Sequence, residues 1–161
     1  MGQHFVDVVT GAHPLPEYGS NAMITTGAID VPLPGIDSLI LLFRLKSFEK
    51  REIIATIPVD RAPYMHSFAL TKKYAVLFAD PVYINYWNYW THRSIASKAL
   101  EFDVDKNTTV YVVSLTDGQV VKRLTIPSWF HCHHVNAYEL NHEIFIDYVT
   151  YPNLDVILKR M

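Results

Sequence analysis

Apolar residues recur along this chain in short runs with a period of two, and almost nowhere with the three-to-four spacing of a helix. The alternation and the enrichment in Val, Ile, Tyr, Phe and Thr predict strands at Asn21–Ile29, Ser38–Leu45, Glu52–Val59, Met65–Thr71, Tyr74–Ala79 and Leu100–Asp103. Four more follow at Thr109–Ser114, Val120–Ile126, His133–Glu139 and Glu143–Thr150. Turn residues punctuate them. Asp117-Gly118 between VYVVSLT and QVVKRLTI is the strongest hairpin signal, Asp105-Lys106-Asn107 precedes another strand, and Asn141-His142 joins the last pair. Ten short strands, about one every dozen residues, make an all-β sandwich, barrel or propeller.

One stretch breaks the rhythm. In DPVYINYWNYWTHRSIASKA, Pro81 ends a strand and a cluster of aromatics follows, including Tyr86, Trp87 and Trp90. Two readings stand: a long loop whose rings fold back on the core, or a patch facing lipid or an apolar ligand, since Trp and Tyr suit the boundary between apolar and wet phases.

Composition narrows the class. The 161 residues suffice for one domain with a real core, and are read as a single domain over 1–161. Half the residues are hydrophobic and 19% charged, rich enough in apolar groups that some are expected to meet something other than water. Net charge is −2 with no basic stripe, which argues against nucleic acid as a partner. A single cysteine, Cys132, excludes an internal disulfide framework. MGQHFVDVVTGAHP has neither the positive region nor the apolar run of a signal peptide, and no apolar run is long enough to span a bilayer. The expected location is cytoplasmic, with a peripheral membrane contact left open.

The candidate chemistry lies in histidine. SWFHCHHVNAYELNHEIFIDY crowds His131, His133 and His134 into four positions. The familiar metal signatures are missing: there is no HExxH, no His with an acid two positions on, and no second cysteine beside Cys132. Cys132 as a nucleophile has no identifiable base. On a regular strand His133, Val135 and Ala137 face one way and His134, Asn136 and Tyr138 the other, so neighbouring imidazoles cannot share one ion. His66 opens a strand in APYMHSFALT, and His13 in TGAHPLPEYG is held extended by Pro14. The spacings His13 to His66 and His66 to His133, 53 and 67 residues, each leave room for a four-stranded blade and a connection. In a propeller, single histidines at that spacing would meet at the axis.

Three segments together resemble the carotenoid cleavage oxygenases. TGAHPLPEYGSNAMITTG, PYMHSFALTKKYAVLFADP and FHCHHVNAYELNHEIFIDY are similar, in the right order from His13 to Tyr151, to the family's first three histidine motifs. The resemblance implies a seven-bladed β-propeller, of which a chain this long supplies about three to four blades at roughly 40–45 residues each. It also implies that His13, His66 and His133 are ligands of a non-haem Fe(2+); His133 is chosen because the family's ligand stands three residues before the Asn, here Asn136. His134 and His131 are then structural, and Cys132 stands where the family has an aromatic. The implied activity is a dioxygenase that uses O2 to cleave one C=C bond of a carotenoid or apocarotenoid polyene to carbonyl products. Tyr86, Trp87 and Trp90 fall near the family's membrane or substrate-entry patch. The family's fourth histidine and acidic ring have no counterpart in the matched stretch. Alternatives are a truncated, non-catalytic β-protein that binds an apolar ligand or a membrane, and a retinyl ester isomerohydrolase.

Overall fold

A computed structural model describes residues 9–31, 35–47, 49–91 and 99–158. The strands in chain order are β1 (Val9–Thr10), β2 (Leu15–Pro16), β3 (Met23–Ile29), β4 (Ser38–Leu45), β5 (Arg51–Val59), β6 (Ala69–Leu70), β7 (Tyr74–Ala79) and β8 (Val82–Ile84). After helix α1 (Tyr86–Thr91) come β9 (Leu100–Phe102), β10 (Thr108–Ser114), β11 (Val120–Ile126), β12 (Phe130–Leu140), β13 (Glu143–Tyr151) and a short helix α2 (Asp155–Leu158).

All pairings are antiparallel and build layers in sequence order. The first sheet runs β1-β3-β4-β5 with β2 also on β3, the second runs β11-β10-β7-β6, and β12–β13 forms a hairpin, as do β8 and β9. Ile24, Ile40, Leu42, Ala55 and Ile57 of the first sheet meet Ala75, Leu77, Tyr111 and Val113 of the second. The other face of the second sheet, Val76, Phe78 and Val110, receives Ala137, Ile144 and Ile146 of the β12–β13 hairpin. Strand β7, YAVLFA, is therefore buried on both faces, which explains its unbroken apolar run. Sheets stacked in this order, each an antiparallel set, are the layering of successive propeller blades. The all-β part-propeller expected from the sequence is what forms.

Local departures have local causes. The strand expected over Met65–Thr71 contracts to β6, because the backbone before it bonds elsewhere. Tyr64 N–H donates to Val82 O, and His66 O accepts from Ala12 N–H. The expected loop after Pro81 instead contains β8, paired with β9, and the one-and-a-half-turn helix α1. Asn85 caps that helix, its Oδ1 accepting from Asn88 N–H at 3.0 Å. The pairing register of β12 slips between His131 and His133 and again between His134 and Asn136. These bulges overturn the simple alternation: Ala137 packs into the cluster around Phe78, the ring on which His134, not His133, also lies.

The hairpin turns follow their sequences. Asn141 and His142 both take positive φ, 50° and 66°, as a two-residue turn of the twist-matching kind requires. Gly118 sits at φ +72°, and a Cβ there would stand 1.9 Å from the Ile54 carbonyl oxygen. The β10–β11 turn thus presses on β5 of the first sheet, and only glycine fits. Gly118→Ala is expected to lower unfolding free energy by roughly 2–4 kcal/mol, read from the urea midpoint at unchanged m-value.

Candidate metal centre

Each of the three spaced histidines sits at an interruption of regular strand pairing. His13 lies in the connection from β1 to β2, His66 in the loop before β6, and His133 between the two bulges of β12. Their rings converge. Centroids of His13 and His66 are 4.8 Å apart, His66 and His133 4.9 Å, and His13 and His133 5.2 Å, all edge to face. The Nε2 atoms of His13 and His66 stand 3.1 Å apart, and one nitrogen from each ring lies within 4.8 Å of the others. Among the described residues this cluster alone could hold a metal ion.

The donor set suits a first-row transition metal. With metal–nitrogen bonds of about 2.1 Å, two imidazole nitrogens on adjacent coordination positions stand roughly 3.0–3.4 Å apart, which the His13–His66 separation matches. Binding needs neutral rings. Burial pushes the His66 imidazolium below its ordinary range, and the neighbouring His13 and His133 push it in the same direction. The hydroxyl of Tyr64 stands 3.4 Å from His66 Nδ1, the nitrogen turned away from the cluster.

The residues flanking these histidines bind one another. Gly11 N–H donates to Thr26 O, and the next residue, Ala12, donates to His66 O. A Cβ on Gly11 would fall 2.5 Å from Thr26 Oγ1, so this close crossing of β3 needs glycine. Ser67 Oγ contacts Cys132 O at 3.1 Å, His134 N at 3.0 Å and His134 Nδ1 at 2.8 Å. His131 turns into the interior, where its ring Nδ1–H donates to Asp80 Oδ1 at 2.7 Å and its backbone N–H to Asp80 Oδ2 at 2.6 Å. Thr108 donates to the same carboxylate at 2.9 Å. Asp80 and His131 are both buried. Neither His131 nor His134 points into the cluster, as expected for bystanders.

Ser67, Asp80 and Tyr64 escaped the sequence reading. The first and last had a signal, each within two residues of a histidine already singled out; Asp80 had only an acid ending an apolar strand. Cys132 gains nothing as a nucleophile, since burial raises its thiol. Of the aromatic patch, Trp87 is 74% exposed, while Tyr86 is half-buried beside Met65 and Tyr64. The Trp90 side chain lies outside the described residues. No helix among the described residues is long and apolar enough to cross a membrane.

Comparison with known proteins agrees with this architecture. The sequence profile of the retinal pigment epithelial membrane protein family, RPE65, matches residues 2–161. The chain belongs to that family, the carotenoid cleavage oxygenases. It is similar to apocarotenoid-15,15'-oxygenase of Synechocystis sp., 32% identical over 91 residues that make up 56% of this chain and 18% of that protein. It is also similar to the carotenoid isomerooxygenase of Drosophila melanogaster, 25% identical over 116 residues, 68% of this chain and 19% of the relative. Among solved structures, a chimera of apocarotenoid oxygenase and RPE65 superimposes with a TM-score of 0.68 at 25% identity, over 91% of this chain and 31% of the chimera. The chain thus spans about a fifth of the length of these curated relatives.

Burial of His134 sets a pH dependence. Desolvation, with His131 and His133 adding to it, lowers its pKa from 6.5 to about 4. The unfolded chain therefore takes up a proton on this ring that the folded chain refuses. Stability is complete above pH 6.5 and falls between there and about pH 4. The loss from this group is on the order of 3 kcal/mol. Thermal midpoints of the metal-free protein between pH 7 and 4 are expected to fall more steeply for the wild type than for His134→Gln.

Proposed function

We propose that this chain carries the iron-holding part of a non-haem Fe(2+) dioxygenase that uses O2 to split one C=C bond of a carotenoid or apocarotenoid polyene into carbonyl products. The observation that carries the reading is the convergence of His13, His66 and His133 from three separate layers onto one point. Family membership supports the substrate class, because the relatives are named as oxygenases and isomerooxygenases of carotenoids and apocarotenoids.

In this reading His13, His66 and His133 hold the metal as neutral imidazoles, and bound iron supplies the redox chemistry that activates oxygen for the cleavage. The chain's own contribution is positional. Cross-layer hydrogen bonds at Ala12 and Ser67 hold the ligand-bearing segments, and burial favours the neutral form of His66. Along its conjugated stretch the substrate brings no charge or hydrogen-bonding group to be read, so the placing of the scissile bond depends on apolar walls that exclude water.

Trp87 supports a second element of the reading. A tryptophan so exposed on α1, next to Tyr86, suits a peripheral membrane contact from which an apolar polyene would be drawn. Sedimentation with anionic liposomes is expected to fall several-fold in Trp87→Ser, and unchanged sedimentation removes α1 from the reading.

Iron binding tests the central claim. Anaerobic titration with Fe(2+) should give one site per wild-type chain. His66→Ala and His133→Ala should each weaken it by more than about 100-fold, beyond what loss of an outer hydrogen-bond partner costs. Aerobic incubation of the iron-loaded chain with an apocarotenal should shorten the polyene absorbance and yield a new aldehyde. Equal stoichiometric binding by all three proteins would sink the assignment.

A further inference from the structure

We infer that Ser67 is a positioning residue whose single hydroxyl sets the His66 and His133 imidazoles against each other. The inference rests on the metal-centre reading above and adds the group that holds its geometry. Ser67 is buried, one peptide bond after His66, and reaches the backbone on both sides of His133: Cys132 O at 3.1 Å and His134 N at 3.0 Å. It also meets His134 Nδ1 at 2.8 Å.

A hydroxyl has one proton and two lone pairs. All three contacts are satisfied together when the proton goes to the Cys132 carbonyl and both His134 N–H groups, backbone and Nδ1, donate to the oxygen. His134 is then the Nδ1–H tautomer, and its Nε2 is the buried ring nitrogen left without a hydrogen-bond partner, in a ring whose centroid lies 4.7 Å from that of Phe78. So His134 acts as an anchor: its ring is held by Phe78, and its two donors grip Ser67.

Why this matters at His133 follows from the bulges. Register shifts on both sides of His133–His134 interrupt the ladder that would otherwise orient the ring. The Ser67 hydroxyl supplies the missing restraint from the loop that bears His66. His13 is tied to His66 separately, through Ala12 N–H to His66 O. Loss of Ser67 should therefore free His133 and leave the His13–His66 pair in place. A serine that merely satisfies buried polar groups would show no such selectivity.

The test uses the full chain, wild type and as Ser67→Ala, Ser67→Thr, His134→Phe and Ser67→Ala/His134→Phe. In the metal-free state, NOEs between imidazole ring protons read the geometry; Co(2+) titration by visible absorbance reads affinity. The wild type is expected to show cross-peaks for all three ring pairs. Ser67→Ala should keep His13–His66, lose those to His133, and bind Co(2+) about 10–100-fold more weakly. Ser67→Thr should restore both readouts, and the double variant should be no weaker than the worse single one. Wild-type cross-peaks and affinity in Ser67→Ala overturn the inference, as does uniform loss of all cross-peaks together with folded chemical-shift dispersion. Full wild-type cross-peaks without Co(2+) binding would instead remove the metal reading, leaving the role of Ser67 in the geometry to be judged by the NOEs of its variants.

Discussion

Sheets packed face to face stand about 10 Å apart, yet the three imidazole centroids, one from each layer, lie 4.8–5.2 Å apart. Facing side chains of adjacent sheets meet at that spacing, but the first sheet and the β12–β13 hairpin lie on opposite faces of the second, and regular strands in those two layers would not bring His13 to 5.2 Å from His133. At each histidine the regular ladder is interrupted: a connection at His13, a loop at His66, and at His133, still paired with Val149, a register shift just before it and another after His134. This inward lean costs ladder hydrogen bonds, and the chain offsets the loss by bonding the freed groups across layers. Ala12 reaches the His66 carbonyl, and Ser67 reaches the backbone on either side of His133. The site is defined as much by these links as by its rings.

The links hold only because the middle layer is fixed on both sides. Alternate residues of β7 face opposite neighbours, Ala75 and Leu77 toward the first sheet, Val76 and Phe78 toward the β12–β13 hairpin. Phe78 also carries the rings of His131, His134 and Tyr148. Below it Asp80 gathers the His131 ring, the His131 backbone and Thr108. A buried carboxylate with three donors is tolerable because its acceptor capacity is used. Together the aromatic contact and the carboxylate fix where β12 begins, and hence where His133 can reach.

The outer face of the hairpin shows the opposite condition. Tyr138 stacks on Phe145, with Val135 and Leu140 also exposed, so the last layer presents apolar groups on the side away from the second sheet. The relatives are several times longer than this chain.

Much of this was legible in the chain itself. Period-two alternation or short apolar runs mark β3, β4, β5, β7, β10, β11 and β13, and Asp117-Gly118 and Asn141-His142 mark two of their turns, because strand pairing and turn chemistry are local properties of neighbouring residues. The resemblance of three motifs to a known family pointed to His13, His66 and His133. Three things waited for the tertiary structure. The bulges that part His133 from Ala137 arise from pairing with β13, the contraction of β6 from backbone bonds to distant segments, and the roles of Ser67 and Asp80 from partners 28 to 67 residues away. A serine or aspartate reads the same in sequence whether it faces water or ties two layers together. Only the packing of those layers decides which.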